Sequence, residues 1–222
     1  MPVRSVPGAA SVAEPQGGKL FAPSAARNAG AICDLLAQVA PPQGRALEIA
    51  SGTGQHVIEY AARLPGLTWQ PTEVDATRRA SIQAYADEAG LPNIAAPIAL
   101  DATAPGWCAD QAGQDLIVLV NLLHLISESE ARTLIQEAAA ALASGGRFVI
   151  YGPFMRGGNL ISEGDRAFHA TITAHDPETG YKDDAEVIRW LQAAGLELVQ
   201  TVDMPANNLA LVSEKPVPEL FS

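Results

Sequence analysis

Residues 45–56 read Arg-Ala-Leu-Glu-Ile-Ala-Ser-Gly-Thr-Gly-Gln-His. The apolar run at 46–50 is the pattern of a buried strand, the small residues and two glycines force a sharp turn, and 55–64 carries apolar residues at helical spacing. Strand, glycine turn and helix in that order commit the chain to an α/β architecture with a ligand at the turn. Gly52 and Gly54 lack a Cβ and tolerate positive φ, so the backbone can approach a ligand closely, and the helix start behind them presents unpaired amides. A dinucleotide fingerprint needs a third glycine, as G-x-G-x-x-G, and Val57 occupies that place, which weakens an NAD-dependent oxidoreductase reading.

The alternation continues along the chain. Helical spacing predicts a helix over 24–39 with Ser24 as its N-cap, and Pro41 and Pro42 end it. A second strand is expected at 67–74, a helix from Thr77 to 88 or 89, a third strand at 94–100, and a fourth at 115–121, whose β-branched and leucine run suits burial on both faces. A helix from Ser127 through 142, a strand at 147–151, a helix at 185–194 and strands at 196–202 and 209–212 follow. Seven strands in this order predict a doubly wound, mostly parallel sheet with one antiparallel strand at the C-terminal end. Residues 1–23, rich in Ala, Pro, Gly and Ser, read as a flexible arm whose first part is mobile; 24–222 reads as a single domain. Residues 152–183, dense in Gly, Asp and His, interrupt the pattern as a lid or binding loop.

Composition narrows the partners. With 222 residues, 48% of them hydrophobic, the chain can bury a full core. No apolar run reaches the roughly 18 residues of a membrane span, and no signal-peptide core is evident, so a cytoplasmic protein is expected. The formal net charge of -11 argues against a nucleic-acid backbone as partner and in favour of a small molecule. Cys33 and Cys108 have neither disulfide-framework nor metal spacing, so no metal is expected. A homodimer is left open as the assembly.

In open α/β sheets the ligand lies outside the carboxyl ends of the strands. The residues there are Glu48, Glu73 with Asp75, Asp101 with Ala102, Asn121 followed by His124, and Tyr151. A carboxylate about 20 residues past the turn is the expected partner of a ribose diol. Glu73 and Asp75 both qualify, with Glu73 preferred. Glu48 followed by Ala50-Ser51-Gly52-Thr53-Gly54 resembles the first motif of class I methyltransferases that use S-adenosylmethionine, with Ala50 replacing the first glycine. That resemblance implies adenine at Asp101 and Ala102, and for Glu48 a contact to the turn or, through water, to the ligand's ammonium.

Six motifs in order resemble the DUF938 family, the methyltransferase-like 26 group. They are Ser24-Ala25-Ala26-Arg27-Asn28, Leu47 through His56, Trp69-Gln70-Pro71-Thr72-Glu73, Asn121-Leu122-Leu123-His124, Tyr151-Gly152-Pro153-Phe154 and Met204 through Leu209. The resemblance spans 21–214 and implies a class I fold that binds S-adenosylmethionine, without naming an acceptor. Residues 163–169, Glu-Gly-Asp-Arg-Ala-Phe-His, depart from the family pattern where the acceptor is expected.

Arg27 and Asn28 are placed to fold over the methionine carboxylate, Arg27 by a charge-assisted pair. His56 begins the helix beside the ligand and reads as a hydrogen-bonding group there. His124 is the first candidate to deprotonate an acceptor and Tyr151 the second. The competing expectation is a binding or regulatory protein that keeps the cofactor pocket without catalysis.

Overall fold

A computed structural model of the chain describes residues 13–218. Two short strands, β1 (Ala13–Gln16) and β2 (Lys19–Phe21), form an antiparallel hairpin, after which come α1 (Pro23–Val39), β3 (Gly44–Ile49), α2 (Gln55–Arg63), β4 (Leu67–Pro71) and α3 (Ala76–Ala89). The second half supplies β5 (Gln114–Val120), a 3-10 turn at Leu123–Leu125, α4 (Glu128–Ala141), β6 (Leu142–Pro153), α5 (Glu163–His175), α6 (Asp184–Ala193), β7 (Glu197–Asp203) and β8 (Asn208–Glu214).

The main sheet has the order β4-β3-β5-β6-β8-β7. β3, β4, β5 and β6 run parallel, and β8 is antiparallel to both of its neighbours. This is the doubly wound sheet with a reversed C-terminal strand that the alternation predicts, with six strands in place of seven.

The missing strand is 94–100, and two prolines explain it. Trp69 N donates to Asn93 O and Ala95 N donates to Trp69 O, both at 2.8 Å, as a parallel ladder begins. The next two donors in that ladder would be the amides of residues 71 and 97, and both are prolines with no N–H. The Gln70 side-chain amide takes up Ala96 O at 2.8 Å, and pairing resumes one residue out of step with Ile98 N to Pro71 O at 3.2 Å. Isolated bridges result where a strand was expected.

Strict alternation along the strands divides the core. Leu47, Ile49, Ile117 and Leu119 pack with Leu134, Ile135 and Leu191 of α4 and α6. Ala46, Leu116, Val118 and Tyr151 pack with Leu36, Val57 and Tyr60 of α1 and α2 on the other face. Glu48 therefore points into the α1–α2 layer, one of the few carboxylates buried among the described residues.

Three local expectations are corrected. Helix α1 begins at Pro23, whose fixed φ suits the first helical position, so Ala22 and not Ser24 precedes it. Asp75, not Thr77, caps α3 by accepting from Arg78 N at 2.8 Å. Within 1–23, the part from 13 onward is a hairpin instead of a loose arm. Leu20 N donates to Ser81 Oγ at 2.8 Å, Tyr85 Oη donates to Leu20 O at 3.1 Å, and Lys19 pairs with Glu88, so the hairpin is fastened to α3. The expected mobility of its first part concerns residues 1–12, outside the described residues. The 152–183 segment contains α5, which begins with a reciprocal capping box between Ser162 and Asp165.

Candidate functional site

The glycine turn follows β3 as a run of unusual backbone. Ala50, Gly52 and Gly54 all have positive φ, at 53°, 60° and 97°. For Ala50 that conformation costs about 1 kcal/mol, strain of the kind that persists where surrounding structure imposes it. The two glycines differ in role. A Cβ on Gly54 would lie 2.7 Å from Ile82 Cα, so Gly54 lets the turn pack on α3. A Cβ on Gly52 would meet no protein atom within 4 Å, so this residue borders the open side of the turn.

The turn is braced by Thr72 and Glu73, just past the end of β4. Ser51 N donates to Thr72 O at 2.8 Å, while Thr72 N and Thr72 Oγ1 donate to Glu48 O at 3.0 and 2.9 Å. Glu73 Oε2 accepts from Gly52 N at 3.0 Å and Glu73 Oε1 accepts from Asp75 N at 3.1 Å. A buried carboxylate thus sits against the turn 21 residues further along the chain. Two oxygens offer about four lone-pair sites, so two remain for hydroxyl donors. Asp75 is committed to capping, which separates the two acids that sequence spacing leaves equivalent.

Glu48 is 2% exposed, and its Oε2 has no hydrogen-bond partner. Burial pushes its carboxyl up to about 8, against a hydrogen bond from Ser51 and with added repulsion from Glu73. The Tyr60 hydroxyl in the same layer also lacks a partner.

The remaining expected residues form three groups. Asn28 reaches from α1 to α2, where His56 Nε2 lies 2.7 Å from Asn28 Oδ1, and His56 stacks on Tyr60 with ring centroids 5.7 Å apart. Burial holds the His56 imidazole down to about 4, so it is neutral. Tyr151 joins this group: the side chains of Asn28 and Asn208 reach its hydroxyl, although burial, the larger effect, raises its pKa. Register places Asn208 opposite Pro153 and Ala210 opposite Tyr151, so Asn208 is the diagonal neighbour on the same face. Arg27 is exposed and forms no ion pair among the described residues.

Asp101 closes a tight local turn, its Oδ1 accepting from Thr103 N at 3.0 Å and Thr103 Oγ1 at 2.6 Å, and Ala102 is buried beside it. Asn121 ends β5 with φ of 56° and donates its N–H to Tyr151 O at 2.9 Å.

His124 stands apart. It is 5% exposed, with Phe168 and Tyr181 edge-on at centroid distances of 5.7 and 6.0 Å. Burial, followed by the charge of Lys182, drives its pKa down to about 3. The imidazole is neutral at pH 7 but a weak base. Gly180 makes this enclosure close: its N–H donates to His124 O at 2.9 Å, and a Cβ there would lie 2.9 Å from His169 Cε1. Phe168 falls in the 163–169 segment expected at the acceptor, whereas Tyr60, Tyr181 and Lys182 were not foreseen as neighbours of the site. Lone aromatics and a lysine in a loop carry no spacing signal that could have singled them out.

Comparison with solved structures identifies the architecture. The chain is similar to an O-methyltransferase family protein from Burkholderia thailandensis at 16% identity and a TM-score of 0.74, over 86% of this chain and 57% of that one. It is similar to a putative O-methyltransferase from Nostoc punctiforme at 21% identity and 0.70, over 83% and 56%. It is also similar to human N-acetylserotonin methyltransferase, solved in complex with S-adenosylmethionine, at 13% identity and 0.70, over 87% and 53%. The chain spans a little over half the length of these proteins, and what they share with it is the Rossmann-like methyltransferase fold. The model of the family described as "Protein of unknown function (DUF938)" matches residues 19–215, so the chain belongs to the DUF938 family.

Proposed function

We propose that this protein is an S-adenosylmethionine-dependent methyltransferase acting on a small-molecule acceptor. The carrying observation is the buried Glu73 carboxylate seated on the amide of Gly52, a glycine whose Cβ would meet no protein atom within 4 Å. The residues fit the cofactor. Glu73 would take the ribose hydroxyls, Gly52 and Arg27 the methionine end, and the segment at Asp101 and Ala102 the adenine. Solved proteins of this fold that hold S-adenosylmethionine or S-adenosylhomocysteine support the assignment.

The bound sulfonium supplies an already reactive methyl group. The protein's task is then to align the acceptor in line with it and exclude water, and no covalent nucleophile is needed. Tyr151, whose hydroxyl the side chains of Asn28 and Asn208 reach, is the group we assign to an acceptor proton. His124 is enclosed by rings and too weakly basic in this state. The net charge of -11 supports a small acceptor over nucleic acid.

One observation favours a second reading, a cofactor-binding protein without turnover: α5 and Tyr181 close over His124, where an acceptor would have to enter. Calorimetric titration with S-adenosylmethionine and S-adenosylhomocysteine, with NAD as control, tests the cofactor. Production of S-adenosylhomocysteine across an acceptor panel then separates the two readings. Micromolar binding without any turnover favours the second, and failure to bind either adenosyl ligand overturns both.

A further inference from the structure

Thr72 and Glu73 hold the glycine turn as far as Gly52, and the next residue, Thr53, is held by other groups. Thr53 Oγ1 donates to Gln55 Oε1 at 2.9 Å, and Thr53 O accepts from Ser81 Oγ at 2.7 Å. Both partners reach further. Gln55 Oε1 also accepts from Ala22 N at 2.6 Å, and Ser81 Oγ accepts from Leu20 N at 2.8 Å. The backbone at Leu20 and Ala22 is thereby joined to Thr53 through single oxygens of Ser81 and Gln55.

The packing of α3 serves the same junction. Its buried residues are Ser81 and Ile82, and both are set against the turn. Ile82 Cα lies where a Cβ on Gly54 would come within 2.7 Å, and the Ser81 hydroxyl gives its one proton to Thr53 O, so the Leu20 amide fills its acceptor side. Ala22 immediately precedes α1, so its bond to Gln55 also fixes where the helix carrying Arg27 and Asn28 begins. The turn that bears Gly52 and the helix that bears Arg27 thus share one short segment of chain.

That segment is held by polar contacts more than by burial. Tyr85 Oη donates to Leu20 O at 3.1 Å, and Lys19 pairs with Glu88 and lies over the Tyr85 ring at 5.3 Å. Phe21 is 43% exposed, so apolar burial adds little to the docking. Segments with few buried apolar contacts open at lower cost than the core.

We propose that residues 19–22 form a strap whose docking is coupled to cofactor capture, with Ser81 and Gln55 as the positioning residues that carry the coupling. Ala50, Gly52 and Gly54 hold positive φ because their surroundings impose it, and the docked strap supplies part of those surroundings through Thr53. A ligand that needs the turn and the start of α1 in place binds the docked form more tightly. By linkage, the same ligand holds the strap down in equal measure. This inference rests on the cofactor assignment and deepens it: whatever lifts the strap loosens the cofactor.

The test is amide hydrogen exchange of the whole protein by NMR, free and saturated with S-adenosylhomocysteine, in the wild type and in Tyr85→Phe/Glu88→Gln. This variant removes the strap's attachments along α3 and alters neither the turn nor Ser81 nor Gln55. Exchange at Leu20 and Ala22 should slow at least about fivefold on binding. In the variant these amides should exchange faster, the Gly54 amide should follow them even without ligand, and S-adenosylhomocysteine should bind roughly five- to tenfold more weakly. Gln55→Met should uncouple Ala22 from the ligand, and Gln55→Glu, which keeps an accepting oxygen, should restore the response.

Binding of S-adenosylhomocysteine that leaves exchange at Leu20 and Ala22 unchanged overturns the coupling and leaves the cofactor assignment standing. So does a Tyr85→Phe/Glu88→Gln variant that binds as tightly as the wild type. Absence of binding to the wild type overturns the cofactor assignment itself, and unchanged Gly54 exchange in the free variant overturns the strap's hold on the turn whatever the ligand. The wild-type comparison decides the coupling even if a variant folds poorly.

Discussion

The Glu73 carboxylate accepts the Gly52 amide proton at 3.0 Å and the Asp75 amide proton at 3.1 Å, joining the glycine turn to the start of α3. One side chain both fixes the turn and offers acceptor sites beside it. Replacing Glu73 by Ala removes both functions. The expected outcome is a ten- to hundredfold loss of S-adenosylmethionine affinity and a loss of roughly 1–3 kcal/mol of stability. Asp75→Asn keeps a capping oxygen and should leave affinity within a few fold. Calorimetry and urea unfolding on the pair check the division of labour between the two acids.

The glycines of the turn should separate in the same way. Gly54→Ala drives a Cβ to 2.7 Å from the Ile82 backbone in addition to demanding φ of 97°, so a loss of more than about 2 kcal/mol is expected. Gly52→Ala meets open space and should cost only about 1 kcal/mol while obstructing the ligand. Equal destabilisation by the two substitutions would contradict the assignment of Gly52 to the open face.

Glu48 makes stability fall toward alkaline pH. Its folded value, about 8, lies above the ordinary 4.5, so the folded state holds a proton that the unfolded state has lost across that window. Stability therefore declines as pH rises from 4.5 to 8. Glu48→Gln removes this term and should stabilise the free protein at pH 8 by on the order of a few kcal/mol. Urea unfolding at pH 6.5, 7.5 and 8.5 measures the difference, which should grow with pH.

The buried histidines act in the opposite direction at acid pH. His56 at about 4 and His124 at about 3 stay neutral in the folded state, whereas the unfolded state binds protons near 6.5. Their contribution is present above pH 6.5 and lost as pH falls toward 4. Each adds a slope of about 1.4 kcal/mol per pH unit. A His124→Asn variant should show a shallower acid decline between pH 6.5 and 4 than the wild type.

Proton handling by Tyr151 can be checked by turnover. Tyr151→Phe should lower kcat at least tenfold with cofactor affinity unchanged within a few fold, whereas His124→Asn should change kcat less. The reverse order would return the catalytic role to His124.

Much of this was legible in the residues because local chemistry agrees with the fold. The strand at 115–121 is a continuous buried run, Ser127 and Glu130 form the capping box their spacing announces, and the final two strands pair antiparallel. The expected strand at 94–100 failed because apolar periodicity cannot see two prolines, Pro71 and Pro97, meeting at donor positions of one ladder. The α5 helix was obscured by the density of Gly, Asp and His around it. At the site, sequence order could list Glu73 and Asp75 but could not separate a cap from a free carboxylate. Nor could it show that His124 would be roofed by Phe168 and Tyr181, residues more than forty positions away.

The most direct test of the central claim is a crystal structure of the protein grown with S-adenosylhomocysteine. The account predicts the ribose hydroxyls on Glu73, the amino-acid end at Gly52, and the adenine at Asp101 and Ala102. A ligand seated elsewhere, or one at this cleft with Glu73 untouched, would contradict it.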